Sequence, residues 1–405
     1  MQDRKASLLR KIVIIALFSG VYVFGYLHGH ENLVIDKNYV PKLANTELKK
    51  PDTVDFSLFW DAYNKVSSEY VATIEPQKLI SGAMKGMVEG LGDPFSAYFT
   101  KEQSDSFNNN LNGKFDGIGV EIEVNQGLLT VVSPLPDSPA QAAGVKPKDV
   151  ILSIDDKSAK DMPLNDAVNY IRGKSGTKVT IEVIAPKETK SRKLEIVRKS
   201  IQADSVTYNQ RPDGIAVVRI TQFGDGTVEL FGKYAREIAA DTAVKGIILD
   251  LRNNPGGLLS ASIDVASYLV NEKTILIEKG KDGREEKQES SQIPILKNIP
   301  LAVLVNEGSA SASEIVAGAL QDYKRGKIIG EKSFGKGSVQ NVIELSDKST
   351  IHITTQLWLT PNGRTISQQG ISPDITITDD EKTENDEVID KAVETLNNLK
   401  VTIKN

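Results

Sequence analysis

The chain has 405 residues, of which 40% are hydrophobic, so it can bury more than one core and two or three domains are expected. It has no cysteine and only three histidines, which excludes a disulfide framework, a thiol nucleophile and a cysteine-based zinc site. We therefore expect no metal and no other cofactor. The net charge of -5, with acidic and basic residues intermixed, leaves no extended basic surface and argues against a nucleic-acid partner.

The first thirty residues predict a membrane segment. Four basic residues, at positions 4, 5, 10 and 11, precede an uncharged and mostly apolar run over residues 12–29. This pattern is typical of a signal peptide or a signal-anchor, and an uncleaved anchor is favoured because no small-x-small cleavage motif follows. Basic residues before the run place the N-terminus in the cytoplasm, so the rest of the chain is expected outside the cell membrane, or secreted if the segment is cleaved.

A polar stalk is predicted over residues 31–54, and a helical region over residues 55–113. Apolar residues recur there at three- and four-residue steps, which predicts two helices ending near Gly92. The first of these helices carries the aromatic residues Phe56, Phe59, Trp60 and Tyr63. This aromatic stripe indicates either a packed core or a surface for self-association into a homo-oligomer, and the sequence does not choose between them.

Short strands dominate residues 114–199. Apolar runs at residues 128–132, 150–154 and 178–184 predict strands, and an amphipathic helix is predicted between the last two. The order of these elements resembles a PDZ domain of the kind found in bacterial proteases. The motifs that carry this resemblance are residues 117–120, 138–140, 143–145 and 149–151.

The residues that open this segment are Gly117, Ile118, Gly119 and Val120. Two glycines allow a loop whose N–H groups converge and can hold a terminal carboxylate, after which an extended peptide can add to the strand edge. A plain tight turn is the alternative for the loop taken alone. The resemblance to a PDZ domain implies recognition of apolar protein C-termini by these four residues.

Strands and helices alternate after residue 200. Strands are predicted at residues 215–220, 246–251 and 301–305, and helices at residues 227–239, 258–269 and 312–322. This alternation predicts an α/β domain whose apolar strands are buried on both faces. Residues 252–257 and 306–311 each leave a strand and enter a helix, so we expect their backbone amides to lie close together at the strand ends.

A serine-rich segment, residues 309–314, begins the last of these helices. Ser311 stands three positions before Glu314, which is the spacing of a helix-capping box. The other interpretation is a nucleophile, because the N–H of Ala312 and the helix dipole would stabilise an oxyanion there, with a second amide from Gly257. The neighbouring serines, Ser309 and Ser313, are competing candidates.

A lysine is the candidate base, since the chain has too few histidines for a Ser-His-Asp triad and His352 lies in a strand-like run. A lysine base must be uncharged, so we expect Lys336 to be enclosed and to lack a carboxylate partner. Residues 330–336 also fit the first seven positions of a phosphate-binding loop. That interpretation fails because Gly337 occupies the eighth position and a strand follows. A solvated loop lysine is the remaining alternative.

Together the motifs resemble the carboxyl-terminal processing peptidases, also called tail-specific proteases, over nearly all of the chain after about residue 55. The matching motifs are residues 91–98, the PDZ-like module, and residues 250–257, 306–314, 335–340 and 370–374. The resemblance implies a multidomain α/β protein with an N-terminal membrane segment, a helical segment, a β-rich PDZ domain and an α/β serine peptidase core over residues 200–378. A helical segment, residues 379–405, follows the core.

The same resemblance implies site roles. Ser311 would be the nucleophile, Lys336 the base and Gln340 the residue that orients the lysine. Gly257 and Ala312 would donate to the oxyanion. The implied activity is a serine endopeptidase that acts through an acyl-enzyme on protein or peptide substrates with free C-termini. A membrane-tethered PDZ scaffold with a silent peptidase-like domain is the alternative from another class.

Arg172 ends the helix of the PDZ-like module. One interpretation is gating, in which Arg172 bridges to the core when a substrate tail binds. The other is an arginine that stabilises the C-terminal end of its own helix.

Overall fold

The computed structural model describes residues 2–29, 33–35, 41–43, 55–125, 127–186, 188–378 and 385–403. The chain divides into two units, residues 1–77 and 78–405. The elements of the first unit are α1 (Gln2–Gly29), β1 (Leu33–Ile35), β2 (Pro41–Leu43) and α2 (Ser57–Glu69), and α3 (Pro76–Glu89) begins in its last two residues. Strands β1 and β2 pair antiparallel.

The predicted membrane anchor falls on α1. Within the residues described, the structure has no helix that is both long and apolar enough to cross a membrane. The anchor is therefore not supported, and the location of the chain stays a prediction.

The aromatic stripe lies on α2, as the sequence predicts. Its rings contact one another edge to face along the helix, with Trp60 between Phe59 and Tyr63. Helix α2 is described throughout and has no buried residue. The packed-core interpretation is therefore not supported, while self-association stays a prediction.

The first half of the second unit contains the segment predicted to be a PDZ domain. Its elements are β3 (Ala97–Phe99), α4 (Lys101–Leu111), β4 (Lys114–Gly117), β5 (Val120–Asn125), β6 (Leu128–Pro134), α5 (Pro139–Ala142), β7 (Val150–Ile154), β8 (Lys157–Ser158), α6 (Leu164–Ile171), β9 (Lys178–Ile184), β10 (Arg192–Val197) and β11 (Lys199–Gln202). One sheet has the strand order β10-β9-β7-β6-β5, and β8 pairs with β7. Strand β5 is at its edge and contacts α6. The predicted strands and helix of this segment are confirmed.

The second half is the predicted α/β domain. Its elements are β12 (Val206–Gln210), β13 (Ile215–Ile220), α7 (Thr227–Ala240), β14 (Gly246–Asp250), α8 (Leu259–Leu269), β15 (Thr274–Gly280), β16 (Glu285–Glu289), β17 (Leu301–Val305), α9 (Ala312–Asp322), β18 (Lys327–Gly330), β19 (Ser338–Glu344), β20 (Thr350–Leu359), β21 (Ile375–Thr376) and α10 (Glu387–Ile403). The main sheet has the order β12-β13-β14-β17-β18-β21. It is parallel from β13 to β21, and every residue of β14 and β17 is buried, which explains their continuous apolar runs.

Helices cover both faces of the main sheet. Side chains of α7, α8 and α9 share one large core with one face of the sheet, including Phe231, Leu269 and Val316. On the other face, Val388 and Leu396 of α10 pack against the strands. The predicted C-terminal helix is confirmed, whereas most of the acidic stretch before it lies outside the described residues.

A second sheet was not predicted from the sequence. It has the order β16-β15-β20-β19, and β3 pairs with β20. Strands β19 and β20 match the strand predicted after Gly337 and the strand-like run that contains His352. Most residues of β16 are exposed, so that strand lacks the apolar pattern that identifies a buried strand. Helix α4 was missed for a similar reason, since it is largely polar and is set by a capping box between Thr100 and Gln103.

Replacing Leu396 by alanine tests the docking of α10. Leu396 is fully buried, and its methyl groups lie against the backbone of Gly246 in β14. We expect Leu396→Ala to lower the free energy of unfolding by about 2–5 kcal/mol, because the cavity it leaves cannot fully close. Urea unfolding measures this loss. The control is Glu394 on the same helix, an exposed residue whose side chain forms an ion pair with Lys391. Glu394→Ala is expected to cost under about 1 kcal/mol. Equal effects of the two substitutions would refute the packing of α10.

Candidate active site

Ser311 immediately precedes α9, where the chain turns after the buried strand β17. Its backbone has φ 54° and ψ -115°, a conformation that residues with a side chain rarely adopt. The glutamate half of the capping box is present, because Glu314 Oε2 accepts the N–H of Ser311 at 2.8 Å, while the Ser311 side chain makes no capping hydrogen bond to the described residues of α9. Ser311 Oγ is therefore not engaged in capping, and its strained backbone is of the kind that clusters at functional sites.

The loop that follows β14 touches this helix start. Gly256 and Gly257 have φ values of 101° and 141°. A Cβ atom on Gly256 would lie 2.8 Å from Ser311 Cβ, and one on Gly257 would lie 2.1 Å from the carbonyl oxygen of Phe223. Only glycine permits this approach, so the structure confirms the expected proximity of the two loops.

The competing serines are both fully buried and engaged in backbone contacts. Ser309 Oγ donates to the carbonyl oxygen of Leu251 at 2.8 Å, and Ser313 Oγ donates to that of Asn254 at 2.9 Å. These bonds fasten the helix start to the neighbouring loop. Ser311, in contrast, lines a cavity, which favours it as the nucleophile.

Lys336 is half-buried and its ammonium group faces a side-chain amide. Its Nζ donates to Gln340 Oε1 at 2.9 Å, and Gln340 Nε2 donates to the carbonyl oxygen of Phe95. Burial lowers the pKa of Lys336 below its ordinary value of 10.5, and the nearby charges of Asp93 and Glu314 oppose this only in part. Lys336 forms no ion pair with any described residue. The lowered pKa is the direction that a lysine base requires.

The predicted catalytic and oxyanion residues meet in one cavity of about 290 Å³. It is lined by Ser311, Lys336 and Gln340, by Gly257 and Ala312, and by apolar side chains that include Phe107, Leu111, Ile315 and Trp358. Among the residues that the structure describes, Ser311 Oγ and Lys336 Nζ are not joined by a hydrogen bond. Catalytic hydrogen bonds often tighten only when substrate binds, so the arrangement is compatible with a nucleophile and its base.

Sequence reasoning assigned no role to the segment that orients Gln340. Asp93 Oδ2 accepts a hydrogen bond from Ser96 Oγ at 2.6 Å, and Ser96 Oγ accepts one from the backbone N–H of Thr354 in β20 at 3.1 Å. These bonds fix the turn that presents the Phe95 carbonyl to Gln340. The Asp-Pro-Phe-Ser segment has the composition of a turn, which is visible in the sequence. The hydrogen bond from Gln340 to Phe95 joins residues 245 positions apart, and the sequence gives no sign of it.

The apolar wall from α4 was missed as well. Phe107 packs against the ring of His352, which also meets Phe99, with ring centroids 4.8 and 4.6 Å apart. Burial, followed by the charge on Lys336, holds the pKa of His352 below its usual range. His352 is thus a neutral part of the cavity wall.

The predicted carboxylate loop lies at the start of β5, away from this cavity. Ile118 is fully buried in the core of the module. Gly119 has φ 72°, and a Cβ atom there would lie 2.5 Å from Ser138 Cβ, so both its backbone and its surroundings require glycine. The loop therefore leads into an edge strand, which is the position at which a peptide can add to a sheet.

Arg172 contacts helix α4 and does not line the cavity that contains Ser311. Its Nη1 donates to Asn110 Oδ1 at 3.3 Å, and its guanidinium lies 5.1 Å from the ring centre of Phe115. Burial lowers the pKa of Arg172. An arginine that only stabilised the end of its own helix would need no hydrogen bond to Asn110 in α4.

A β-rich module with an open sheet edge, joined to an α/β core with a serine and a half-buried lysine in one cavity, defines the class of PDZ-containing serine peptidases. Comparison with known proteins supports this class. A model of peptidase family S41 matches residues 214–377, a PDZ domain model matches residues 130–184, and a model of the N-terminal domain of the activating protease CtpB matches residues 15–103.

Two staphylococcal proteins described as "Probable CtpA-like serine protease" are similar to this chain. The one from Staphylococcus aureus strain N315 is 40% identical over 82% of this chain and 66% of its own length. The one from Staphylococcus epidermidis is 39% identical over 84% of this chain and 67% of its own length. The chain thus spans about two thirds of the length of these relatives.

A solved structure, that of a photosystem II D1 C-terminal processing protease, is 29% identical and covers 79% of this chain and 86% of that one, with a TM-score of 0.51. The chain belongs to peptidase family S41, among the carboxyl-terminal processing peptidases. The resemblance seen in the sequence is therefore confirmed. The roles of the individual site residues stay predictions.

The lowered pKa of Lys336 can be measured directly. We expect the Nζ of Lys336 to titrate below the ordinary lysine value of 10.5, because burial disfavours its charged form. Methylating the lysines with a ¹³C label and following each resonance by NMR as the pH rises measures this. The spectrum of Lys336→Ala identifies the resonance by its absence. A midpoint at or above 10.5 would contradict the enclosed lysine.

Proposed function

We propose that the chain is a serine endopeptidase that uses Ser311 as nucleophile and Lys336 as base. The observation that carries this proposal is the shared cavity, which is lined by a strained serine at a helix start and by a half-buried lysine held by Gln340. The family membership supports the same class of reaction.

The reaction would proceed by acyl transfer. Neutral Lys336 takes the proton of Ser311 Oγ as that oxygen bonds to the carbonyl carbon of the substrate, and the carbonyl oxygen becomes an oxyanion. The N–H groups of Gly257 and Ala312 would donate to this oxyanion. The C–N bond then breaks, and Lys336 returns the proton to the leaving amine. Water next attacks the ester carbonyl carbon while Lys336 takes one of its protons. The ester C–O bond then breaks, Lys336 gives that proton to Ser311 Oγ, and the acid leaves.

The substrate would be a protein with a free, apolar C-terminus. The loop of residues 117–120 would hold the terminal carboxylate, and the tail would add as a strand to the open edge of β5. The apolar side chains of the cavity, Phe107, Leu111 and Ile315, would accept an apolar side chain next to the bond that is cleaved.

A silent peptidase-like scaffold is the alternative. Its signature would be the loss of a residue of the proposed machinery, yet Ser311, Lys336 and Gln340 are all present and lie around one cavity. Tethering to a membrane, a location outside the cytoplasm and self-association through α2 stay predictions from the sequence.

Hydrolysis of an unfolded protein with an apolar C-terminus tests the dyad. We expect Ser311→Ala and Lys336→Ala each to lower kcat roughly 10³-fold or more, since each removes a group that takes part in bond making. The wild-type rate should rise with pH as Lys336 loses its proton, in a range below 10.5. Capping the substrate C-terminus as an amide should slow cleavage if the loop binds a carboxylate.

The control for Lys336 is Lys332→Ala, an exposed lysine on the same loop, which should leave the rate unchanged. Activity that survives in Ser311→Ala would overturn the proposed site. A wild-type protein without hydrolytic activity would favour the scaffold.

Arg172 offers a route by which tail binding would gate the site. Its Cγ lies 3.9 Å from the position that a Cβ atom would take on Gly117, in the predicted carboxylate loop. Its guanidinium bonds to Asn110 near the end of α4, and α4 also carries Phe107 and Leu111 of the cavity wall. We propose that a bound tail shifts Arg172 and thereby moves α4 relative to the cavity.

Arg172→Ala tests this route. We expect it to remove the rate difference between substrates with a free and an amidated apolar C-terminus, because the loop would no longer be coupled to α4. Rates are measured for both substrates with each variant. Asn110→Ala is the matched variant, since it removes the other partner of the same hydrogen bond. An unchanged dependence on the free C-terminus would leave Arg172 as a helix-end residue only.

A further inference from the structure

Glu314 is a fully buried carboxylate in the first turn of α9, and the mechanism above does not use it. Its Oε1 accepts hydrogen bonds from Ser333 Oγ at 2.6 Å and from the backbone N–H of Gly335 at 2.7 Å. Its Oε2 accepts hydrogen bonds from the backbone N–H groups of Ser311 at 2.8 Å and Lys336 at 2.9 Å. Each oxygen therefore accepts two hydrogen bonds.

Helix capping accounts for only one of these four bonds. A capping box needs the glutamate to accept from the N–H of the capping residue, which here is Ser311. The other three donors belong to residues 333–336, the loop that carries the candidate base. Since an ionised carboxylate can only accept, and all four of its acceptor positions are filled, its charge is satisfied without a cation.

One atom, Oε2 of Glu314, accepts hydrogen bonds from the backbones of both residues of the proposed dyad. It accepts from Ser311, whose backbone is strained, and from Lys336, whose own side chain turns toward Gln340. Strained conformations persist only where the surrounding structure fixes them. The bond from Ser311 is one such restraint, and the bond from Lys336 ties the loop of the base to the same point.

We propose that Glu314 is the positioning residue of the dyad, which fixes the nucleophile and the base relative to each other through their backbones. The inference rests on the proposed function, because it assigns a role within that site. Glu314 bonds to the backbones of Ser311 and Lys336 and not to their side chains, so it acts through them and is not a catalytic residue.

The charge of Glu314 gives this role a measurable signature. Three titratable side chains surround Lys336: Asp93 from the turn before β3, Glu314 from α9 and His352 from β20. The negative charge of Glu314 raises the pKa of Lys336 against the effect of burial. Removing that charge should therefore lower the pKa of Lys336 and move the acid limb of the pH–rate profile to lower pH.

Glu314→Gln is the first test, because it keeps the shape and removes the charge. At least one of the four hydrogen bonds is lost, so we expect kcat at the plateau to fall roughly 10- to 100-fold. KM should change little, and the acid limb should move to lower pH. A residue that only caps the helix would change thermal stability and leave kcat at the plateau in place, so the fall in kcat separates positioning from capping.

Ser333→Ala is the second test and predicts the opposite shift. It removes one donor from Oε1 of Glu314, which leaves the negative charge less stabilised and raises the pKa of Lys336, so the acid limb should move to higher pH. The control is Asp374→Asn, which alters an exposed carboxylate that accepts the N–H of Ile328 outside the cavity. It should leave the acid limb in place.

Hydrolysis by the whole chain, measured from acidic to alkaline pH for all variants, separates the outcomes. Absence of activity in the wild type would refute the proposed function itself. Wild-type activity with an unchanged kcat or an unmoved acid limb in Glu314→Gln would overturn the positioning role alone. If Glu314→Gln does not fold, Ser333→Ala decides, and an acid limb that stays in place would overturn the proposal.

Discussion

The arrangement of the site depends on the contact between the loop after β14 and the start of α9. Gly256 lets this loop approach Ser311 and Ala312 at distances that no side chain permits, and Gly257 lets it approach the backbone of Phe223 in the same way. Asn254 anchors the loop, since its side chain bonds to Ile220 and Gly256 while its carbonyl oxygen accepts from the helix start. Neighbouring parallel strands thus deliver two backbone segments to one point, and only glycine lets them meet.

The same loop is also fixed from the other face of the sheet. Arg252, at the end of β14, bonds to Asp250 and to Asp386, which precedes α10, with nitrogen–oxygen distances of 2.8 Å to each. These two carboxylates raise the pKa of Arg252 despite its burial. The apolar contacts of α10 and this ionic contact act together, so the helix on the far face is coupled to the loop at the cavity.

Short sequence patterns predicted the strands and helices whose structure depends on a few consecutive residues. The apolar runs of β14 and β17 and the serine-rich start of α9 each carry their structure in a few consecutive residues, and the two strand ends bring Gly256 beside Ser311. Lys336 was predicted because histidine was scarce, while the role of Gln340 came only from the family resemblance. The bond from Gln340 to Phe95 spans 245 positions, and no periodicity records such a pairing.

Exposure hid another part of the structure. Helix α4 carries Phe107 and Leu111 of the cavity wall, but most of its other residues are polar and obscure the apolar ones. Glu314 shows a further limit, because its spacing from Ser311 correctly predicted a cap while giving no sign of three additional donors. A sequence shows what a residue does for its own helix more readily than what it does for a distant loop.

Trp358 gives the site an optical property of its own. Its indole N–H donates to the carbonyl oxygen of Lys336 at 3.1 Å, and the side chain is 1% exposed on the cavity wall. The chain has only one other tryptophan, Trp60, which belongs to the first unit and is 55% exposed. The two indoles therefore differ in polarity, and the blue-shifted share of the intrinsic fluorescence comes from beside the lysine. Light emitted by the unlabelled protein thus reports on the occupancy of this cavity.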